Sequence, residues 1–117
     1  LMTHFAENSR GGERTVIQLV TDRDDLATFI ASITNFSGPV LRQIREKRRV
    51  DLRDVAQSSK IRKGYLVDIE LENFSTLPSE IYLKGYLTSY AQFFGLDSRR
   101  VVDDYMRRYR SWQESRA

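Results

Sequence analysis

The chain has 117 residues, which is enough for one hydrophobic core of ordinary size and too few for two. It has no cysteine and one histidine, His4, so the sequence offers neither disulfides nor a thiolate or imidazole metal site. It contains no nucleophile paired with a base and no glycine motif that grips phosphates, so we expect no catalysis, cofactor or metal.

The net charge of +3 and the isoelectric point of about 9.4 permit binding to a polyanion, although interspersed charges of both signs are also typical of a solvated surface. The positive surplus lies after residue 38, because residues 1–38 carry three basic and five acidic side chains. The sequence contains no run of about 18 apolar residues, which is the length that a membrane-spanning helix needs. We therefore expect a cytoplasmic protein that reaches a membrane, if at all, through a segment missing from this chain or through a partner.

Residues 1–38 are predicted to form an N-terminal extension. It begins with a polar linker containing Gly11-Gly12 and continues with residues 15–21, a short strand or an extension of the next helix. The spacing of Leu26, Phe29, Ile30 and Ile33 then predicts an amphipathic helix from Asp22 to Asn35. Its apolar stripe needs a cover, which the domain body, a partner protein or a homodimer through residues 15–33 would supply.

Five helices are predicted from residue 39 to residue 117, which makes the chain all-α. Pro39 suits the first turn of the first helix, Asp51 caps the second, and Asn73 closes a third helix that starts near Arg62. The fourth helix starts after Ser79 and ends at Gly95, and the fifth starts at Asp97 and Ser98. On the first helix, five basic residues are predicted to point outward: Arg42, Arg45, Lys47, Arg48 and Arg49.

Residues 52–70 have the pattern of a helix-turn-helix motif. Val55 and the small Ala56 lie where two helices cross, and Ile61, Leu66 and Ile69 fill the space between these helices and a supporting one. The pattern identifies a scaffold and leaves its ligand open.

Several stretches resemble the cytoplasmic helix-turn-helix domain of the RodZ family, a variant of the lambda-repressor-like fold. They are LRQIRE at residues 41–46, YLVDIE at 65–70, the Leu77-Pro78 pair, and above all IYLKGYLTSYAQFFGLD at 81–97. The resemblance implies a protein adaptor that docks onto the bacterial actin MreB through aromatic residues at the start of the fourth helix. At the matching positions this chain has Tyr82 and Tyr86, flanked by Lys84 and Gly85.

The helical spacing supports the same surface independently. Leu83, Leu87, Tyr90 and Phe94 already form a complete inward stripe, so Tyr82, Tyr86 and Phe93 form a second stripe beside it. The candidate protein-binding residues are Tyr82, Lys84, Tyr86 and Phe93. Burial of the second stripe under another helix is the alternative, in which these aromatic residues belong to the core.

DNA binding is the competing hypothesis, because the second helix of such a motif can enter the major groove. Its candidate residues are Arg53, Lys60, Arg62, Lys63 and Val67. Three features argue against it: Gly64 has no side chain to read bases, the third helix sums to −1, and Leu52 replaces the glutamine that repressors often use to bind phosphate.

Overall fold

The computed structural model describes residues 25–116, and the chain divides into two compact units between residues 33 and 34. In the first unit, residues 25–32 are helical, and the amide of Ile33 closes a final tight turn on the carbonyl oxygen of Ile30 at 3.1 Å. The predicted amphipathic helix is therefore present but ends before Asn35. The predicted strand at 15–21, the start of the helix at Asp22 and most of the proposed dimer segment lie outside the described residues.

The second unit contains five α-helices, which we number from its start. They are α1 (Gly38–Lys47), α2 (Leu52–Ser59), α3 (Lys63–Leu71), α4 (Glu80–Phe93) and α5 (Ser98–Arg116), with a single 3₁₀ turn at Phe74–Thr76. Helices α2 and α3 form the helix-turn-helix motif. The described residues contain no strand, which confirms the all-α prediction for this part of the chain.

Local capping explains most of the helix boundaries. Ser37 accepts a hydrogen bond from the Val40 amide and Pro39 occupies the first turn of α1, while Asp51 accepts one from the Arg53 amide at the start of α2. The prediction that Asn73 closes α3 is wrong. Glu72 does so in a left-handed conformation with φ of 58°, because its carboxylate is held by partners from α1 and α5.

The core consists of the apolar residues that the helical spacing selected. In the motif, Val55, Leu66 and Ile69 are fully buried, and in α4 Leu83 and Leu87 are fully buried as well. Helix α5 supplies Val101, Tyr105 and Met106 to the same core. This burial fixes the rotation of α4 and hence determines which of its residues face outward.

A buried ion pair joins α1 to α3 and corrects the prediction that Arg45 points outward. The Arg45 guanidinium donates to both carboxylate oxygens of Glu70, at 2.7 and 3.0 Å, and to the carbonyl oxygen of Val50 at 2.9 Å. The Tyr90 hydroxyl lies 2.7 Å from Glu70 Oε2, and burial raises the pKa of this hydroxyl above its ordinary value. Glu70 is 3% exposed, so these partners compensate the desolvation of its charge.

A second carboxylate, that of Glu72, connects α3 to α1 and α5. It accepts two hydrogen bonds of 2.7 Å from Arg108 and one of 2.8 Å from the Gly38 amide. Burial acts to raise the pKa of Glu72, but the hydrogen bonds from Arg108 and Gly38 outweigh it and lower this pKa below its ordinary value. The C-terminal end of α3 is thereby fixed to the rest of the domain.

Candidate protein-binding surface

Helix α4 presents large apolar side chains to solvent at its N-terminal end. Ile81 is 76% exposed and Tyr82 is 62% exposed, although the inward stripe of the same helix is completely buried. Single exposed apolar residues are common on protein surfaces, but two consecutive ones on a helix with a filled core are more unusual. They form the centre of the candidate surface.

Tyr86 extends this surface by contacting the helix-turn-helix motif. It is half-buried, and its ring lies 5.6 Å, centroid to centroid, from the ring of Tyr65 in the first turn of α3. Tyr86 therefore has a packing role and an exposed edge at the same time. The contact places the start of α3 next to the middle of α4.

The structure separates Phe93 from the other predicted residues. Phe93 is half-buried with its ring 4.9 Å from that of Phe94, and it lies roughly 16 Å along the helix axis from Tyr82 at 1.5 Å per residue. A partner that covers Tyr82 and Tyr86 need not contact Phe93. The surface is therefore centred on Ile81, Tyr82 and Tyr86.

Charged residues hold the first turn of α4 in place. Glu80 accepts a hydrogen bond of 2.7 Å from Arg110 of α5 and lies 3.7 Å from the ammonium group of Lys84. The hydrogen bond from Arg110 lowers the pKa of Glu80 below its ordinary value. Lys84 keeps about half of its side chain in solvent and lies on the Ile81 side of α4, because residues three apart on a helix are neighbours and residues two apart are not.

Two residues of this surface, Tyr65 and Ile81, were missed from the sequence. Tyr65 stands directly before the buried Leu66, and Ile81 stands directly before Tyr82; both lie in the stretches that resemble the RodZ family, and neither was given a binding role there. The run of two large apolar residues at 81 and 82, followed by the buried Leu83, was the available signal. A helix cannot bury three consecutive residues on one face.

The residues proposed for DNA binding lie on a separate surface of α2 and α3. Arg53, Lys60, Arg62 and Lys63 are exposed and make no side-chain hydrogen bond or ion pair with any other residue in 25–116, whereas Val67 is half-buried. Arg62 precedes α3 without a side-chain cap. The start of α3 therefore has no side chain that caps its first amides, and Arg62 and Lys63 stand beside it in the sequence.

The negative sum of α3, used above against DNA binding, does not describe its exposed face. Glu70 and Glu72 are directed inward to Arg45 and Arg108, and Asp68 accepts a hydrogen bond of 3.2 Å from the Asn73 amide group. The outward face at the start of α3 is therefore positive.

Among residues 25–116, no helix combines the length and apolarity that crossing a bilayer requires. The same residues contain no group of three histidine or carboxylate side chains that could hold a metal ion.

The fold and the α2–α3 geometry define a helix-turn-helix protein. The family model described as a helix-turn-helix domain matches residues 40–101, more than half of the chain, and the chain belongs to this family. It is similar to the uncharacterized membrane protein YmfM of Bacillus subtilis (strain 168), with 29% identity over 56 residues. This match covers 48% of the chain and 19% of YmfM. No solved structure matches significantly.

Proposed function

We propose that this helix-turn-helix domain is a non-catalytic adaptor that binds another protein through the surface formed by Ile81, Tyr82 and Tyr86. The observation that carries the proposal is the exposure of Tyr82 and Ile81 on a helix whose inward stripe is already buried. Tyrosine offers a large contact area and has few rotatable bonds to immobilise, which makes it frequent among interface hot spots. The fold gains little from exposing these two residues.

The partner that the resemblance to RodZ domains favours is the bacterial actin MreB. Tyr82 and Tyr86 stand at the positions that the resemblance assigns to this contact, and Lys84, which stands between them in the sequence, keeps about half of its side chain exposed. The similarity to a part of YmfM, a membrane protein, supports an adaptor that works at a membrane as part of a longer protein.

The test uses purified MreB from the same bacterium and the Tyr82→Ala variant. We expect Kd to rise by at least about 30-fold, which corresponds to roughly 2 kcal/mol at a hot spot, while the circular dichroism spectrum stays unchanged. Leu71→Ala is the matched control, because Leu71 is 54% exposed and lies on α3. Undiminished binding by Tyr82→Ala would contradict the proposed surface, and absence of binding by the unaltered chain would contradict MreB as the partner.

Duplex DNA is the second candidate ligand, favoured by four exposed basic residues on α2, on α3 and in the turn between them, whose side chains make no hydrogen bond or ion pair within 25–116. With Glu70 and Glu72 directed inward, the face that would approach phosphates carries Arg62 and Lys63. Arg53 and Lys60 extend the same positive surface.

This second candidate predicts binding to duplex DNA that weakens steeply with salt. The double variant Arg62→Glu/Lys63→Glu should remove it, while Tyr82→Ala should leave it intact. Fluorescence anisotropy with a labelled duplex at 50 mM NaCl measures both, and a flat titration of the unaltered chain would reject DNA as a ligand.

A further inference from the structure

Gly85 has no structural explanation within the described residues. It lies inside α4, where a glycine costs about 0.5–1 kcal/mol relative to alanine, a cost that a need for positive φ or for close packing usually explains. Gly85 is not among the residues with positive φ, and a Cβ atom built on it would meet nothing within 4 Å. The fold would accept an alanine there.

The neighbours of Gly85 are the residues of the candidate surface. Ile81 and Tyr82 lie one turn before it on the same side of α4, and Tyr86 follows it with its ring on Tyr65. The missing side chain therefore leaves the backbone of α4 uncovered at a position that three large apolar side chains surround along the helix. We call the surface formed by Ile81, Tyr82, Gly85 and Tyr86 the α4 notch.

We propose that the α4 notch receives an apolar side chain of the protein partner, which approaches the backbone of α4 at Gly85. This inference rests on the proposed function and adds the reason why position 85 is a glycine. A methyl group at this position would occupy the space that the partner's side chain needs. The fold tolerates that methyl group and the complex does not.

The charges around the α4 notch define the partner further. Lys84 directly precedes Gly85 and keeps about half of its side chain exposed, and Arg62 lies one turn before Tyr65 on α3. Neither Arg62 nor Lys63 has a side-chain hydrogen bond or ion pair within residues 25–116, and the one carboxylate of α4, Glu80, is shared between Arg110 at 2.7 Å and Lys84 at 3.7 Å, so two cations face a single anion there. The occupant is therefore an apolar side chain with aspartate or glutamate residues beside it.

The experiment compares two glycine-to-alanine variants of the full chain, with purified MreB as the probe. Gly85→Ala should raise Tm by about 2–8 °C, because it removes a helix-interior glycine, and should raise Kd at least about tenfold. Gly64→Ala is the matched control, since Gly64 lies on α3 and a Cβ there also meets nothing within 4 Å. Its Kd should stay within twofold of that of the unaltered chain.

The outcomes separate this inference from the proposed function. If Tyr82→Ala loses binding and Gly85→Ala binds like the unaltered chain, the α4 notch is refuted and the proposed surface stands. If neither Tyr82→Ala nor Gly85→Ala changes Kd, the α4 notch and the proposed binding surface are both refuted. Equal weakening by Gly64→Ala and Gly85→Ala also refutes the assignment to Gly85.

The charge of the partner has its own test. Lys84→Glu should raise Kd for MreB about tenfold, and the affinity of the unaltered chain should fall as NaCl is raised from 50 to 300 mM. If neither Lys84→Glu nor the rise in NaCl concentration changes Kd, the inference that the partner has acidic residues beside the apolar side chain is refuted.

Discussion

Gly38→Ala should destabilise the domain strongly, because Gly38 lies where α1 meets the C-terminal end of α3. A Cβ atom at this position would collide with the carbonyl oxygen of Ile69 and would lie 2.6 Å from that of Glu70 and 2.7 Å from Cγ of Glu72. Two of these atoms belong to the backbone, which cannot move aside as a flexible side chain can. Helix α1 would have to shift away from α3.

The expected change in the free energy of unfolding is the sum of two destabilising effects and one stabilising effect. Inserting a methyl group into a filled space costs about 1–3 kcal/mol, and weakening the hydrogen bond between the Gly38 amide and the Glu72 carboxylate costs about 1.5–3 kcal/mol when fully lost. Replacing a helical glycine with alanine stabilises the fold by up to about 1 kcal/mol, which offsets part of this loss. We expect a net loss of about 2–4 kcal/mol, which for a domain of this size lowers Tm by roughly 10–25 °C.

The assay is thermal and urea unfolding followed by circular dichroism at 222 nm, with Gly85→Ala as the matched control. The same chemical change should have opposite signs at the two positions, because position 85 is open and position 38 is closed. A Gly38→Ala variant as stable as the unaltered chain would refute the packing of α1 against α3 described above.

Three further substitutions, one of them with a matched control, test the polar contacts inside the domain by urea unfolding. Arg45→Ala should cost about 3–5 kcal/mol, because it leaves Glu70 buried without its cation; a loss under about 1 kcal/mol would show that Glu70 escapes to solvent. Tyr90→Phe should cost about 1–2 kcal/mol, because its hydroxyl lies 2.7 Å from Glu70 Oε2 and 3.0 Å from the carbonyl oxygen of Leu41. Tyr109→Phe should cost less than about half as much, because within residues 25–116 its hydroxyl only accepts a hydrogen bond of 3.3 Å from Gln113. Glu72→Gln should cost about 1–2 kcal/mol at pH 7. The lowered pKa of folded Glu72 means that its contribution is complete above the unfolded value of about 4.5 and is lost as the pH falls through the folded value, so the gap between the two proteins should close toward pH 3. A gap that stays constant from pH 7 to pH 3 would contradict this linkage.

The apolar pattern predicted most of the fold correctly. Leu83, Leu87 and Tyr90 recur at helical spacing and are buried, and the helix starts at Ser37 and Asp51 carry side chains that cap a helix locally. Such features depend on residues within one or two turns of each other, so the sequence contains everything needed to find them. The candidate surface was found from the same pattern, as the stripe that remained after the core was assigned.

The polar side chains could not be placed in the same way. Arg45 looks like one more cation of a solvated run until α3 brings Glu70, 25 residues later in the chain, within 2.7 Å of it. Likewise, the charge sum of α3 treated Glu70 and Glu72 as surface groups, although Arg45 and Arg108 draw both inward. A helical period gives the angle of a residue about its own axis and says nothing about which neighbouring helix crosses at that angle.

The sequence by itself determined an all-helical domain with a helix-turn-helix motif and a surplus of aromatic residues on α4, because local spacing and capping specify helices and their apolar faces. Only the tertiary structure decided that Tyr82 is exposed and that the ring of Tyr86 contacts that of Tyr65. It also decided that a Cβ atom at position 85 would meet no neighbouring atom within 4 Å. These properties depend on how α4 packs against α2 and α5 and on where α3 lies beside it, and such an arrangement is set by the packing of many distant side chains at once.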